Sequence, residues 1–254
     1  MRLFALSDLH VDFEENREWV YSLSKIDFTE DILILAGDIC DEPEGMKKFF
    51  GYILKIFKKV FFVPGNHDLW VLKQPGVNSI EKFEMVMELA RVFSISIKTE
   101  VIKNIAIIPL SGWFDYSFGV PDSETKKRWS DFYACRWPEN FDEKEITRFF
   151  INKNDVFLPD NRILKEKITF SHFMPRIDLM PHFIPAHKTT IYPFLGSVEI
   201  EKLLNTIGSD IHIYGHSHFN LYKELDGRLY INNAFGYPYE KNITRKKLFL
   251  IKEL

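Results

Sequence analysis

The chain has 254 residues, of which 46% are hydrophobic; this is enough for one large core, so we predict a single domain over residues 1–254. Its 33 basic residues nearly balance its 36 acidic residues, and the net charge of -3 provides no overall basic field for nucleic acid or anionic membranes. Nucleic acid is therefore disfavoured as a partner, and any bound anion must be attracted locally.

The cysteine content and the apolar runs predict a cytoplasmic protein without a membrane span. Cys40 and Cys135 are too few for a disulfide scaffold, and we interpret both as packing residues. The N-terminal apolar stretch reaches Ser7 and Asp8 after a few residues, so it lacks the length of a secretory signal. No uninterrupted apolar run reaches the roughly 18 residues that a membrane-spanning helix requires.

The first hundred residues predict three repeats of a strand, a loop and a helix. Short apolar runs indicate buried strands, and apolar residues three or four positions apart indicate helices. In chain order, the predicted elements are a strand over 3–6, a helix over 14–26, a strand over 31–36, a helix over 45–57, a strand over 60–63 and a helix over 79–93.

The remaining residues predict more strands and two long irregular segments. A predicted strand over 105–110 opens into an aromatic turn over 111–119, and the charged stretch 122–159 contains one predicted helix, over 142–152. A Pro-rich loop is predicted over 175–193. We interpret 113–165 and 173–196 as insertions that form a rim or cap. The other predicted elements are strands over 167–170, 210–214, 228–235 and 247–254, and a helix over 197–207.

Five of the predicted strands end in side chains that bind metals or move protons. In chain order these side chains are Asp8 and His10, Asp38, Asn66 and His67, His172, and His216 and His218. Because strand ends converge at one edge of a sheet, this set of carboxylates and imidazoles predicts a metal site. Two carboxylates, one amide and four imidazoles exceed the ligands of one tetrahedral ion, so two ions are predicted.

The same residues form five ordered blocks that resemble the calcineurin-like metallophosphoesterases. The blocks are D-x-H, G-D, G-N-H-[DE], a single H and G-H-x-H, and here they begin at Asp8, Gly37, Gly65, His172 and Gly215. The resemblance spans roughly residues 5–220. It implies an α/β fold, a four-layer sandwich in which two mixed β-sheets are flanked by α-helices.

The resemblance also implies a dinuclear metal centre of two divalent ions, which are manganese, iron or zinc. The implied ligands of one ion are Asp8, His10, Asp38 and His218, and those of the other are Asp38, Asn66, His172 and His216. Asp38 would bridge the two ions. The implied reaction is in-line attack on phosphorus by a metal-bound hydroxide. His67 would protonate or stabilise the leaving oxygen, and Asp68 would orient the His67 imidazole.

We therefore predict a hydrolase of a small-molecule phosphodiester or phosphomonoester, with the diester preferred. The block over 37–41 lacks the arginine that protein Ser/Thr phosphatases of this superfamily carry, which disfavours a phosphoprotein substrate. The alternatives are a nuclease or nucleotide pyrophosphatase of the same superfamily, or a non-catalytic protein-binding scaffold of this fold. A full ligand set with His67 favours turnover over the scaffold, and the charge balance disfavours the nuclease. The oligomeric state is left open.

Several other residues have both a functional and a structural interpretation. Asp12 and Asp41 either hydrogen-bond the ligating histidines or are solvated loop acids. His212, inside a predicted strand, is interpreted as a core histidine or as a support for the ligands. The candidates for contacting a substrate phosphate are His182, His187, Arg176 and Lys188, and the candidates for a pocket wall are Trp70, Trp113 and Tyr116.

Overall fold

The structure is a computed structural model in which residues 1–158 and 164–254 are described. The first third comprises β1 Arg2–Leu6, α1 Glu14–Ser22, β2 Ile32–Ala36, α2 Pro43–Ile53, β3 Lys59–Val63, a 3-10 helix His67–Leu69 and α3 Ser79–Val92. The middle third comprises β4 Glu100–Ile102, β5 Ile105–Pro109, α4 Ser123–Arg128, α5 Asp131–Ala134, α6 Glu143–Asn152 and β6 Glu166–Phe170. The last third comprises 3-10 helices Ile177–Leu179 and Ala186–Phe194, α7 Val198–Ile207, β7 Ile211–Tyr214, β8 Leu221–Leu225, β9 Arg228–Asn232 and β10 Phe249–Glu253.

The strands form two mixed sheets. The first sheet has the order β10-β1-β2-β3, with β1, β2 and β3 parallel and β10 antiparallel at one edge. The second has the order β4-β5-β6-β7-β9-β8, with four parallel central strands and an antiparallel strand at each edge. A parallel bridge between Ser7 and Ala234 links the residues that follow β1 and β9. The carboxyl ends of these two strands, one from each sheet, therefore meet.

Successive residues of each strand pack on opposite faces of its sheet. In β2, Ile34 faces the second sheet, whereas Leu33 packs against α1, α2 and α3. In β5, Ile107 faces the first sheet, whereas Ile108 packs with residues of α6 and α7. The layers are therefore helices, sheet, sheet and helices, which confirms the predicted fold class.

Helices α1 and α2 differ from their predicted bounds. Helix α1 ends at Ser22, earlier than predicted, because Leu23 is extended and the Ser24 hydroxyl accepts hydrogen bonds from the next turn. Helix α2 begins at Pro43, earlier than predicted, because proline suits the first turn of a helix. It ends at Ile53, and turns rather than helix follow.

The sequence prediction misses the edge strands β4 and β8 and the short helices α4 and α5. These elements are short and lie partly exposed, so they carry little apolar periodicity. Helix α4 is instead stabilised at its start by Asp122, whose carboxylate accepts backbone N–H groups. The strand predicted over 228–235 ends at Asn232, because the Asn232 side chain accepts the N–H of Ala234 in a turn. The loop predicted over 175–193 contains the two late 3-10 helices.

Both predicted insertions contribute to the core over the second sheet. Trp113 is 1% exposed, and its ring lies 4.8 Å from that of Phe173. It is a core residue, so its interpretation as a pocket wall is wrong. Phe150 and Phe194 from the same segments are also buried in this core. Residues 159–163 of the insertion over 113–165 lie outside the described residues. The single domain and the rim or cap role stay predictions.

Within residues 1–158 and 164–254, no helix combines the length and apolar character needed to cross a membrane. Cys40 and Cys135 are both free, Cys40 buried and Cys135 partly buried. The Cys40 thiol donates to a carboxylate oxygen of Asp12 at 3.0 Å.

Candidate metal centre

The predicted ligands lie on loops that leave the carboxyl ends of parallel strands, and several have an uncommon backbone. The ligands with positive φ are Asp8 at 53°, His10 at 42°, Asp38 at 55°, His216 at 65° and His218 at 50°. Such values are rare for residues other than glycine and concentrate at functional sites. Hydrogen bonds between loops hold this backbone in place, because the N–H groups of Asp8 and His10 donate to the carbonyls of Gly37 and Asp38 at 2.9 and 3.0 Å.

Two of the block glycines are required by close approach of the ligand side chains. A Cβ atom at Gly65 would lie 2.2 Å from Oδ1 of Asp38, and one at Gly37 would lie 2.5 Å from Nδ1 of His172. Only glycine lets the loops pack this tightly. The glycines of the G-D and G-N-H blocks therefore make room for the ligands beside them.

The first ligand group is formed by Asp8, His10 and His218. Nε2 of His218 lies 3.2 Å from Nε2 of His10 and 3.2 Å from Oδ1 of Asp8. Two atoms that bind one ion at normal distances are about 3.0–3.4 Å apart, so this spacing suits a shared ion. All three residues are buried.

The second ligand group is formed by Asn66, His172 and His216. Nε2 of His172 lies 3.0 Å from Oδ1 of Asn66 and 3.2 Å from Nδ1 of His216. Oδ2 of Asp38 lies between the groups, 3.5 Å from Nε2 of His172 and 3.9 Å from Nε2 of His10. The structure therefore brings all seven predicted metal ligands together, with Oδ2 of Asp38 between the two groups.

Hydrogen bonds fix which ring nitrogen His172 and His216 present to the centre. Nδ1 of His172 lies 2.9 Å from the carbonyl of Ala36, and Nε2 of His216 lies 3.1 Å from the carbonyl of Phe194. Because a carbonyl only accepts, each of these nitrogens must carry the proton. The other nitrogen of each ring is then a free lone pair that faces the second group, as a metal ligand requires.

The electrostatics of the buried centre favour cations. Burial, together with the charges of Asp8 and Asp68, raises the pKa of the Asp38 carboxyl well above its usual range. Burial lowers the pKa of His172, and it lowers the pKa of His216 to about 3, so both imidazoles are neutral at pH 7. The second group therefore offers neutral imidazoles beside a buried acid, a donor set that fits a divalent ion. In the first group, Asp8 and Glu240 raise the pKa of His218 to about 9 against the opposing effect of burial, so a cation that binds there replaces a proton on this imidazole.

His67 lies beside Asp38 at the edge of the centre. Its Nε2 lies 4.0 Å from Oδ2 of Asp38 and 3.1 Å from the hydroxyl of Tyr237. Trp70 stacks on the imidazole with ring centroids 3.6 Å apart, which limits its rotation. Tyr237 also stacks on His10 at 4.5 Å. The arrangement places Nε2 of His67 between the Tyr237 hydroxyl and the predicted metal ligand Asp38.

The prediction that Asp68 orients the His67 imidazole is wrong. Oδ1 of Asp68 accepts the N–H groups of Ile39 and Cys40 at 2.9 and 3.0 Å. Its Oδ2 accepts the N–H groups of Asp38 and Gly65 at 2.9 and 2.8 Å. The carboxylate thus ties the G-D loop to the G-N-H loop, and both oxygens are used by backbone.

Replacing Asp68 with asparagine should lower the free energy of unfolding by about 3 kcal/mol, because the new amide group leaves two buried N–H donors without an acceptor. Urea denaturation measures this change. Asp142→Asn is the control, since Asp142 caps α6 from an exposed position and asparagine caps equally well. Equal stability of the two variants would contradict this role for Asp68.

Glu240 supports the first group and is missed by the sequence prediction. Its Oε2 lies 2.6 Å from Nδ1 of His218 and 2.8 Å from the backbone N–H of Tyr237. The carboxylate accepts the Nδ1 proton, so Nε2 of His218 is left free for a metal. No local motif marks Glu240, since it reaches His218 only through the tertiary fold.

The Glu240→Gln variant should bind one Mn²⁺ ion roughly 10- to 100-fold more weakly than the parent chain, because His218 loses its charged acceptor. Equilibrium dialysis of the metal-stripped chain against Mn²⁺ measures both sites. Glu201→Gln is the matched control, because Glu201 has the same 18% side-chain exposure and pairs with Arg228. Unchanged Mn²⁺ affinity in Glu240→Gln would show that this hydrogen bond does not support the ligand.

The remaining candidate residues have structural partners or lie on the surface. Asp12 accepts hydrogen bonds from the Cys40 thiol and the backbone N–H of Asp41. In the described residues, neither Asp12 nor Asp41 has a hydrogen bond to a predicted histidine ligand, so of their two interpretations the one as a support for the histidines is wrong. Arg176 is paired with Asp178 and Asp226. His182, His187 and Lys188 are exposed on the loop over 175–193.

Two further residues outside the centre also have clear partners. His212 is buried and hydrogen-bonds the hydroxyls of Thr169 and Ser171 at 2.8 and 3.1 Å, as expected for a core histidine. Tyr116 donates to Glu143 at 2.5 Å.

Known proteins resemble this chain in sequence and in fold. Uncharacterized protein L509 of Acanthamoeba polyphaga mimivirus is 25% identical over 261 residues, which cover 93% of this chain and 91% of that protein. The acyl-carrier-protein phosphodiesterase PptH of Mycobacterium tuberculosis is 26% identical over 134 residues, which cover 49% of this chain and 41% of that protein. The crystal structure of the phosphopantetheinyl hydrolase PptH from the same organism matches with a TM-score of 0.76 and 19% identity, covering 98% of this chain and 95% of that one.

The sequence profile of the calcineurin-like phosphoesterases matches residues 1–220, which include all five blocks. This match confirms the resemblance predicted from the blocks. With the clustered ligands, it identifies a metal-dependent hydrolase of phosphoric esters. The chain belongs to the calcineurin-like phosphoesterase family.

Proposed function

We propose that this protein hydrolyses a small-molecule phosphodiester with the help of two divalent metal ions. The observation that carries the proposal is the pair of ligand groups that share Asp38, with His67 beside them. The similarity to PptH, which is named as a phosphodiesterase, supports a diester over a monoester. The same similarity makes a phosphopantetheinyl diester on a carrier protein the macromolecular substrate to compare with the small diesters.

The proposed metal ligands divide between the two groups. Asp8, His10 and His218 would hold one ion, Asn66, His172 and His216 would hold the other, and Asp38 would contact both. Divalent ions bound there supply a strong nucleophile at neutral pH and offset the charge that develops on the phosphate. Two carboxylates leave the loaded centre with a net positive charge, which attracts a phosphate despite the acidic chain.

His67 is proposed as the acid that protonates the leaving oxygen. Its Nε2 lies at the edge of the centre and already exchanges a hydrogen bond with the Tyr237 hydroxyl at 3.1 Å. Stacking on Trp70 holds the imidazole in this orientation. Such a group contributes most when the leaving oxygen is strongly basic. A cytoplasmic location is also proposed, since both cysteines are free.

The test begins with chain that has been stripped of metals by a chelator. Separate samples are loaded with Mn²⁺, Fe²⁺ or Zn²⁺ and given bis(p-nitrophenyl) phosphate, p-nitrophenyl phosphate or a phosphopantetheinyl carrier protein. We expect hydrolysis that depends on metal, with a higher kcat/KM for the diester than for the monoester. A preference for the monoester would overturn the diester part of the proposal.

The same samples decide between the competing functions. Absence of metal-dependent hydrolysis with every ester would overturn the proposal and favour a protein-binding scaffold. Salt-sensitive cleavage of single-stranded DNA or RNA, faster than that of the small diesters, would favour a nuclease.

A further inference from the structure

We infer that Asp131 is a positioning residue that sets the orientation of the ligand Asn66 and of the stacking partner of His67. Asp131 begins α5, inside the segment 113–165, and belongs to none of the five blocks. The inference rests on the proposed function, which gives Asn66 and His67 their roles.

The Asp131 carboxylate accepts three hydrogen bonds from the surroundings of the centre. Its Oδ1 lies 2.8 Å from Nδ2 of Asn66 and 2.7 Å from Nε1 of Trp70. Its Oδ2 lies 2.9 Å from Nε1 of Trp129. The residue is only 3% exposed. A buried carboxylate that accepts hydrogen bonds from three neutral donors is held firmly in one position, because moving it would leave buried polar groups without partners.

The first of these bonds decides which atom Asn66 presents to the metal. An asparagine amide has one accepting oxygen and one donating nitrogen, and only the oxygen can ligate a cation. The Asp131 carboxylate only accepts, so the amide nitrogen must face it. Oδ1 of Asn66 then points to the second group, 3.0 Å from Nε2 of His172. Without Asp131, nothing in this bond pattern prevents the amide from turning over.

The second bond connects Asp131 to the proposed acid. Trp70 donates to the same Oδ1 as Asn66, and its ring stacks on His67 with centroids 3.6 Å apart. Oδ1 of Asp131 therefore accepts hydrogen bonds both from the proposed metal ligand Asn66 and from Trp70, the ring that stacks on the proposed acid.

The third bond extends this arrangement towards His216. The ring of Trp129 stacks on Phe194 with centroids 4.9 Å apart, and it makes an edge-to-face contact with His216 with centroids 5.9 Å apart. The carbonyl of Phe194 accepts the Nε2 proton of His216. Asp131 thus contacts one side of the second ligand group directly and packs against the other side through Trp129.

Metal binding tests the inference without depending on turnover. Metal-stripped chain is titrated with Mn²⁺, and the free ion is followed by its EPR signal. We expect two sites in the parent chain and, in Asp131→Ala, one unchanged site and one weakened about 10- to 100-fold. Asp142→Ala is the control, since it removes the cap of α6 in the same segment without touching the centre. Two unchanged sites in folded Asp131→Ala would overturn the inference.

A conservative pair of variants separates positioning from a general loss of structure. In Asp131→Asn, the remaining oxygen can still accept hydrogen bonds from Asn66 and Trp70. The new amide nitrogen, however, is a donor that would face a second donor, the indole N–H of Trp129. Adding Trp129→Phe removes that donor. We expect Asp131→Asn to weaken one Mn²⁺ site and the double variant to recover its affinity to within about threefold of the parent chain. Equal weakening in both variants would overturn the inference.

The experiment also distinguishes failure of this inference from failure of the proposed function. If the parent chain binds two Mn²⁺ ions and hydrolyses the diester but Asp131→Ala keeps both sites, only the inference fails. If the parent chain neither binds two ions nor hydrolyses an ester, the proposed function fails, and the inference fails with it.

Discussion

Replacing Asp38 with asparagine should reduce kcat/KM for a phosphodiester by about 10³-fold or more, equivalent to about 4 kcal/mol of transition-state stabilisation. Oδ2 of Asp38 lies between the two ligand groups, and asparagine offers no charge and only one oxygen. The fold should survive, because the asparagine oxygen can still accept the N–H of His67, which Oδ1 of Asp38 accepts at 2.9 Å. Kinetics and the metal content after dialysis measure both effects.

A matched control separates this loss from a general effect of the substitution. Asp210 also accepts a backbone N–H, that of Lys167 at 2.7 Å, but it lies immediately before β7 rather than at the end of a strand that carries the predicted ligands. Asp210→Asn should keep activity within about twofold and retain both ions. Retention of two ions and near-normal kcat/KM in Asp38→Asn would show that Asp38 does not bridge.

The His67→Asn variant should lose about 10²- to 10⁴-fold in kcat for an alkyl phosphodiester, while the p-nitrophenyl diester loses much less. The physical reason is that an alkoxide needs a proton to leave, whereas p-nitrophenolate leaves without one. Two bound metal ions should remain, because His67 is outside both ligand groups. Parallel kinetics with the two esters, and the metal content of the variant, provide the measurements.

The p-nitrophenyl ester is the internal control for this prediction. Equal losses with both esters would remove the acid role of His67. Loss of a metal ion would instead assign His67 as a ligand, which its 4.0 Å distance from Asp38 makes a defined alternative.

The predicted and observed elements differ where the hydrophobic pattern of the sequence is weak or where an element ends at a single capping residue. Strands β1, β2 and β3 are buried apolar runs, and the sequence predicts each of them. The edge strands β4 and β8 and the polar helix α4 bury little, so their hydrophobic pattern is weak. Helix ends depend on single capping residues and turns, and they shift by several positions for that reason.

The sequence by itself determines the fold class and brings the seven ligand residues into consideration. Strand ends such as those before Asp8 and Asp38 are local features, and parallel strands necessarily place their carboxyl ends at one edge. The residue types alone then indicate a metal centre, since carboxylates, imidazoles and an amide oxygen are its usual ligands. This part of the site needs no knowledge of long-range contacts.

Only the tertiary structure decides what supports those ligands. Asp68 follows His67 in the sequence, which suggests that it pairs with the imidazole. In the structure, however, its two carboxylate oxygens accept four backbone N–H groups from two loops. Glu240 and Asp131 reach His218 and Asn66 across 22 and 65 residues of sequence. A hydrogen bond requires that donor and acceptor lie close together in the folded chain, and closeness in sequence does not ensure this. The candidate ligands can therefore be predicted from the sequence, whereas the groups that orient them depend on the packing of distant segments.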